Sequence, residues 1–483
     1  MSGTPQHFEA MFSPRSVAMI GASKKPAKWG FMIINNIVMG GYKGRLYPVN
    51  PGESEIFGMK SYKNLKEIDD SVDLALVAVP SKSVLQTIDE CCEKGVKVSI
   101  VITAGFSEAS EEGGNIEKEI VAKSRGAGMR IVGPNTMGVF SAASSLHALM
   151  PPVRPKFGRI SFISQSGNIG TQMLGLGQKR GIGFNKFVSS GNEADLKCTD
   201  FLRYFGDDPG TDVIVMYIEG LEDGKEFFDA ARSITKKKPI IFFKSGRTDA
   251  GARAAKSHVG AIAGSTEVYD AMLRQAGVIR ASTTDEILDF SAAFAGLPIP
   301  KGRRVGIISG GGGWGVVAAD ACASVGLQVP DLTNEVKEKL NKLLPHYWSK
   351  GNPIDLVASI DVKSLSGVFS IVPECSNIDG MLMLCIVGVG HLLSTNFFGL
   401  DEKQMKLLRD IAMEVDIKSA KKIIELIEKT RKPMMIAALS SSSESEGVRI
   451  LEEHGVPVYD TPERAAKALA KLAEYGEYLR GKN

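Results

Sequence analysis

The chain has 483 residues, 43% of them hydrophobic, and sets 58 Lys and Arg against 55 Asp and Glu for a net charge of +3. That length calls for about three domains of common size. So small a charge excludes a nucleic-acid tract and a cationic membrane patch, and the apolar runs fall short of the ~20 residues that span a bilayer.

Met1-Ser2-Gly3-Thr4-Pro5-Gln6-His7 lacks a charged-then-apolar signal pattern. The six cysteines lack metal-ligand spacing and read as free thiols of a reducing compartment. A cytoplasmic protein without a metal site is therefore expected. Strand-like runs at 17–21, 46–50, 74–80, 97–105 and 130–133 alternate with helical stretches, the pattern of parallel α/β sheets. They end on Gly21-Ala22-Ser23, Asn50-Pro51-Gly52, Pro80-Ser81, Thr103-Ala104-Gly105 and Gly133-Pro134-Asn135. In doubly wound folds ligands bind at such carboxyl strand ends. The first turn, with Lys24, Lys25 and Lys28 beside it, has no Gly-x-Gly-x-x-Gly, and the second strand closes on Asn50-Pro51 rather than an acidic residue. A nicotinamide cofactor is thus not expected; the lysines suit a ligand with several phosphates, such as coenzyme A.

Beyond Pro151-Pro152-Val153-Arg154-Pro155 the chain reads as a diverged internal repeat. One copy opens Arg159-Ile160-Ser161-Phe162-Ile163-Ser164-Gln165-Ser166-Gly167, the other Arg304-Val305-Gly306-Ile307-Ile308-Ser309-Gly310-Gly311-Gly312, and Gly296-Leu297-Pro298-Ile299-Pro300 is the hinge between them. Each opening is a buried-type strand, a Ser/Gly turn and an apolar helix. Free backbone N–H groups and the positive end of the helix dipole make such a turn a place for phosphate. Either turn alone is as well explained by helix capping. The run Lys236-Lys237-Lys238 reads as solvated charge closing a helix.

Only the first copy carries Lys256-Ser257-His258-Val259-Gly260, a histidine among small residues. With a pKa of about 6.5 an imidazole keeps a large neutral, nucleophilic fraction. A lone loop histidine is more often simply solvated, but two phosphate-type turns in equivalent positions favour a phosphohistidine held between two helix N-termini. Glu219, closing the apolar run Met216-Tyr217-Ile218, is placed to orient that imidazole, although an acid at a strand end also commonly faces water. His147 is placed at a pocket border, and no histidine pair has metal-ligand spacing.

Taken together, these motifs resemble the alpha subunits of the ADP-forming acetyl-CoA synthetases, within the NDP-forming acyl-CoA synthetase superfamily that includes succinyl-CoA synthetase. The resemblance runs from about Phe8 to the C-terminal helix and also takes in Lys28-Trp29-Gly30, Ser190-Gly191-Asn192-Glu193, Lys244-Ser245-Gly246-Arg247 and Asn352-Pro353-Ile354-Asp355. It implies an α/β protein: an N-terminal CoA-binding Rossmann domain at 1–150, then two flavodoxin-like (succinyl-CoA synthetase-like) domains at 151–297 and 298–483. It implies the reaction acyl-CoA + ADP + phosphate ⇌ acid + ATP + CoA, through an acyl phosphate and a phosphohistidine. His258 would be the phosphoryl carrier and Glu219 its orienting residue. Ser164, Gln165, Ser166, Gly167, Ser309, Gly310, Gly311 and Gly312 would face phosphate. Gly21, Ala22, Ser23, Lys24, Lys28, Asn50, Pro80, Thr103, Ala104 and Asn135 would bind coenzyme A. Val259 stands where the family's motif has Thr, and Ser309–Gly315 departs from its Asn-Ala-Gly-Gly-Pro-Gly. No ATP-grasp module is legible, so a separate beta subunit binding ADP or ATP with Mg²⁺ is expected, in a hetero-oligomer such as α2β2, acting on a small carboxylic acid. The competing expectation is a non-catalytic CoA-binding scaffold of the same fold.

Overall fold

Five short apolar strands build the first sheet: β1 (Ser16–Ile20), β2 (Arg45–Val49), β5 (Leu74–Val77), β6 (Val98–Val101) and β7 (Arg130–Val132), with a two-residue ribbon of β3 (Glu55–Ile56) and β4 (Met59–Lys60) beside it. Their order is β2-β1-β5-β6-β7, all parallel. Helices cover both faces, which is why β1, β5 and β6 are buried at every residue and read as unbroken apolar runs rather than alternating ones. The computed structural model describes residues 5–248, 250–251, 253, 266–356, 362–388, 399–438, 440–441 and 444–481. It divides into two units, Met1–Thr284 and Asp285–Asn483.

The second sheet, in the same unit, comprises β8 (Gly138–Ser141), β9 (Leu146–Leu149), β10 (Lys156–Ser164), β11 (Gly183–Ser189), β12 (Val213–Ile218), β13 (Ile240–Lys244) and β14 (Ile279–Ala281), in the order β14-β13-β12-β10-β11-β8-β9. The hairpin β8–β9 precedes the proline-rich stretch, within the residues assigned by sequence to the first domain, yet β8 pairs antiparallel with β11. It closes an edge that β11 would otherwise present unpaired. In the second unit β15 (Val305–Ser309), β16 (Ile354–Asp355), β17 (Gly380–Leu384), β18 (Met434–Ala437) and β19 (Val458–Tyr459) run parallel in the order β16-β15-β17-β18-β19. The repeat read from residues 159 and 304 is thus a repeat of topology: β11-β10-β12-β13-β14 and β16-β15-β17-β18-β19 share the flavodoxin-type order 2-1-3-4-5. No helix of the described residues is long and apolar enough to cross a membrane.

Lys238 differs from the solvated reading of its basic run. Its ammonium donates to the carbonyls of Phe205 at 3.0 Å and Asp208 at 2.6 Å, closing the helix Cys198–Asp207, and burial pushes its pKa down.

Asp195 joins the first sheet to the second. Its carboxylate, 2% exposed, accepts from Arg130 Nε at 2.7 Å and Nη2 at 2.9 Å, from the Ile131 N–H at 2.8 Å and from Arg125 Nε at 2.6 Å. Burial pushes its pKa up, but Arg130, the Ile131 N–H and Arg125 outweigh that and hold it below the ordinary value. Asp195→Ala removes the buried carboxylate that gathers Arg130, Arg125 and the Ile131 N–H, and is expected to cost about 3–5 kcal/mol in denaturant unfolding at neutral pH. Because the folded-state pKa is depressed, the gap between wild type and variant is fully present above about pH 4 and closes as pH falls through the folded value.

Candidate active site

At the carboxyl ends of β1, β2 and β5 lies a cavity of about 960 Å³. Gly21 turns the chain out of β1 with φ +88°, a conformation glycine adopts without strain, and a Cβ there would sit 2.3 Å from the Ala78 carbonyl oxygen. Asn50 holds the turn from β2: its amide donates to the Ala22 carbonyl at 2.7 Å and its oxygen accepts the Gly52 N–H at 2.8 Å. Two helices start at the cavity, Trp29–Gly40 after Lys28 and Ser81–Lys94 after Pro80, and neither N-terminus carries a side-chain cap. Their open N–H groups and the side chains of Lys25, Lys28 and Lys63 make the wall suited to an anionic ligand, with Glu53 and Glu90 on the same wall.

Of the residues expected to bind coenzyme A, Gly21, Ala22, Ser23, Lys28, Asn50, Pro80, Thr103 and Ala104 line this cavity. Lys24 is instead paired with Glu53 at 3.2 Å, and Asn135 (φ 60°) donates to Asn192 Oδ1 at 3.3 Å. Lys25, read among the lysines beside the first turn, lines the cavity as well, while Lys63 and the half-exposed Trp29 were not expected to bind the ligand. Trp29 belongs to a motif legible in the sequence. Lys63 is brought in only by tertiary structure, through the bridge between Val49 and Tyr62. His147 is buried against the Phe140 ring at 4.9 Å and the backbone of Gly40, and burial pushes its pKa down.

The two Ser/Gly turns have the same construction. Ser164 ends β10 and donates its hydroxyl to the Ser166 carbonyl at 2.6 Å; Ser309 ends β15 and donates to the Gly311 carbonyl at 2.6 Å. Both serines are fully buried. The next residue in each turn reaches the neighbouring strand, Gln165 N–H to Tyr217 O at 3.1 Å and Gly310 N–H to Leu384 O at 3.0 Å. The helices Gly167–Lys179 and Gly312–Ser324 then start from Ser166 and Gly311 without a side-chain cap. Each turn therefore presents open backbone donors at a strand tip.

Glu219 follows β12 directly. Its N–H donates to Gln165 Oε1 at 2.6 Å, as does the Gly220 N–H at 3.0 Å, while Gln165 Nε2 donates to the Gly220 carbonyl at 2.8 Å. Lys244 Nζ donates to the Glu219 carbonyl at 2.7 Å and the Ser245 carbonyl at 2.6 Å. The Leu221 N–H donates to the Tyr269 hydroxyl at 3.2 Å. Behind this turn the Glu193 carboxyl accepts from Ser190 Oγ at 2.7 Å, and burial pushes its pKa up against hydrogen bonds from Ser190, the Cys198 N–H and the Gln165 side chain. His258 lies outside the described residues.

Three sheets whose parallel strands share the order 2-1-3-4-5, the first with a cavity suited to an anionic ligand at its strand ends, define a doubly wound α/β protein of the ligand-binding class. A CoA binding domain model matches residues 15–142, a succinyl-CoA ligase like flavodoxin domain residues 157–294 and a Ligase-CoA domain residues 305–383. The chain is 40% identical over 477 residues to the alpha subunit of acetate–CoA ligase [ADP-forming] I of Pyrococcus furiosus, covering 97% of this chain and 98% of that one. It is 36% identical to the acetate–CoA ligase [ADP-forming] of Methanocaldococcus jannaschii, covering 98% of this chain but spanning 64% of that longer one. Among solved structures, a dinucleotide-forming acetyl-coenzyme A synthetase 1 from Candidatus Korarchaeum cryptofilum, in complex with phosphate and ADP, matches with a TM-score of 0.86 at 33% identity, covering 99% of this chain and 98% of that one. The chain belongs to the family of ADP-forming acetate–CoA ligase alpha subunits.

Gly30 marks how tightly the cavity wall is packed: a Cβ there would lie 1.9 Å from the Gly21 carbonyl oxygen. Gly30→Ala is expected to destabilise the protein by about 1–3 kcal/mol, seen as a lowered Tm.

Proposed function

We propose that this chain is the alpha subunit of an ADP-forming acyl-CoA synthetase, interconverting acyl-CoA, ADP and phosphate with free acid, ATP and CoA. The observation that carries this reading is the end-to-end match to a curated alpha subunit at 40% identity. The cavity at β1, β2 and β5 and the paired Ser/Gly turns support it. Coenzyme A occupies the cavity of the first module (1–150), its phosphates near Lys25, Lys28 and the open helix N-terminus after Lys28. A phosphate oxygen attacks the thioester carbonyl, the CoA thiolate leaves, and an acyl phosphate forms. A ring nitrogen of His258, in the second module (151–297), attacks phosphorus and the carboxylate departs as free acid. A β-phosphate oxygen of ADP then attacks the phosphohistidine, giving ATP and returning the neutral ring. Glu219 hydrogen-bonds the other ring nitrogen, fixing the tautomer and stabilising the ring while it carries phosphorus. The turns at Ser164 and, in the third module (298–483), at Ser309 offer backbone N–H groups to phosphoryl oxygens.

The partner is a beta subunit of ATP-grasp type that holds the nucleotide and Mg²⁺, in an α2β2 assembly, and the acid is small, acetate first. The compartment is the cytoplasm, in keeping with six free cysteines. The non-catalytic scaffold is the weaker reading, since a chain relieved of turnover has no need of two uncapped turns of identical construction.

Incubation with acetyl phosphate is expected to give an acid-labile phosphoryl adduct on the native chain and none on His258→Ala, read by intact mass. No adduct on the native chain, even with ATP, Mg²⁺ and a beta subunit added, would overturn the catalytic reading. Replacing both Lys25 and Lys28 by Ala is expected to weaken coenzyme A binding by about a hundredfold or more in calorimetry, because each charge-assisted contact is worth about 1.5–3 kcal/mol.

A further inference from the structure

The carboxyl end of β12 leaves its sheet at Ile218, so the peptides of Glu219 and Gly220 have no strand to bond to. The Gln165 carboxamide takes the place of a strand there. Its oxygen has two lone pairs, and the N–H groups of Glu219 and Gly220 use both, at 2.6 and 3.0 Å. One of its N–H donors goes to the Gly220 carbonyl at 2.8 Å, and the side chain lies beside the Glu193 carboxyl. Three of its hydrogen bonds thus go to the Glu219–Gly220 backbone. Lys244 holds the Glu219 carbonyl from the β13 side at 2.7 Å, and Tyr269 receives the Leu221 N–H.

The second repeat supplies an internal control. Ser164 pairs with Tyr217 and Ser309 with Leu384 across the same strand junction, so Glu219 corresponds to Ile386 and Gln165 to Gly310. Phe243 lies opposite Tyr217 and Ala437 opposite Leu384, so Lys244 corresponds to Ala438. The bond from the Gly310 N–H to the Leu384 carbonyl is retained in that copy, whereas the carboxylate, the carboxamide and the ammonium are all missing together. The chain after β17 takes a different path, with Cys385 at φ 53° and Gly388 at φ 85°, and is held instead by Asp416 on the Gly388 N–H at 2.6 Å and by Ser440 on its carbonyl at 2.7 Å. Gln165 and Lys244 occur where a carboxylate has to be aimed.

We infer that Gln165 and Lys244 are positioning residues that fix the Glu219 peptide, and through it the direction in which Glu219 presents its carboxylate to the phosphoryl-carrying histidine. Gln165 therefore serves the phosphate site through its backbone and Glu219 through its side chain, which couples the helix N-terminus to the orienting acid in one residue. This role rests on the function proposed above.

The test is a double-mutant cycle on the enzyme assembled with its beta subunit, following the rate of acid-labile phosphorylation by acetyl phosphate. Gln165→Leu is expected to slow phosphorylation at least tenfold, with the half-saturating acetyl phosphate concentration moving less than about twofold. In a Glu219→Gln background the same substitution is expected to cost less than about twofold, since there is no longer a carboxylate to aim. Hydrogen exchange is expected to quicken at the Glu219 and Gly220 amides alone. Lys244→Met, with its own Glu219→Gln cycle, gives the same reading should Gln165→Leu fold poorly. Full multiplication of the two losses, or a loss appearing as weakened acetyl phosphate binding, overturns the positioning role while leaving the phosphohistidine in place. An unphosphorylated native enzyme overturns the proposed function, and the positioning role with it.

Discussion

The hydroxyl of a buried serine, bonded at 2.6 Å to the carbonyl two residues ahead, sets the geometry at the tip of the central strand in both repeated sheets. That short bond closes the turn between strand and helix and spares the helix a side-chain cap. A conventional Ser or Asp cap would fill the first N–H groups of the helix from within. Here the serine faces back into the turn, and the donors at the helix start stay open to whatever lies at the strand ends. The arrangement is stable because the turn is also tied sideways, through the next N–H, to the neighbouring strand.

From this shared frame the two copies have diverged in side chains and in the path of the chain after the neighbouring strand, where Cys385 takes φ 53°. The first has a carboxylate after β12 and surrounds its peptide with Gln165, Lys244 and Tyr269; the second has Ile386, Gly310 and Ala438 at the corresponding places. Lys244 is 7% exposed, so burial pushes its pKa down while the nearby Glu219 opposes that effect. The ammonium is sheltered and its bond to the Glu219 carbonyl is shielded from solvent, while Glu219 itself is half-buried.

Rigidity at the first sheet comes from a different source. Asp195 lies on the stretch that leaves β11 and reaches across to Arg130 on β7, so a buried, fully bonded carboxylate joins two sheets that a proline-rich segment separates in sequence. The hairpin β8–β9 adds to the second sheet a piece of chain from ahead of that segment. Cavity and second-sheet turn thereby belong to one unit, as the phosphoryl transfer proposed above requires.

Much of this was legible in the residue order. Apolar runs of strand length between helical stretches announce parallel sheets, and β1, β2, β5, β6 and β7 fall on the runs read at 17–21, 46–50, 74–80, 97–105 and 130–133. The duplicated strand–Ser–turn–helix openings announce two sheets of like topology. The small residues at strand tips announce the cavity wall, because ligand space at a strand end demands small side chains whatever the distant packing. Direction was not legible. Lys24 and Lys25 are neighbours of the same type, yet only Lys25 lines the cavity, since the turn sends Lys24 towards Glu53. Gln165 reads as one of four phosphate-facing residues, but its carboxamide turns to β12, a strand some fifty residues away in sequence. Composition and periodicity are local properties, so the chain alone determined the elements, their repetition and the chemistry available at their ends. Where a long polar side chain spends its hydrogen bonds depends on which unsatisfied backbone groups the packed sheet brings within about 3 Å of it, and only the tertiary structure decides that.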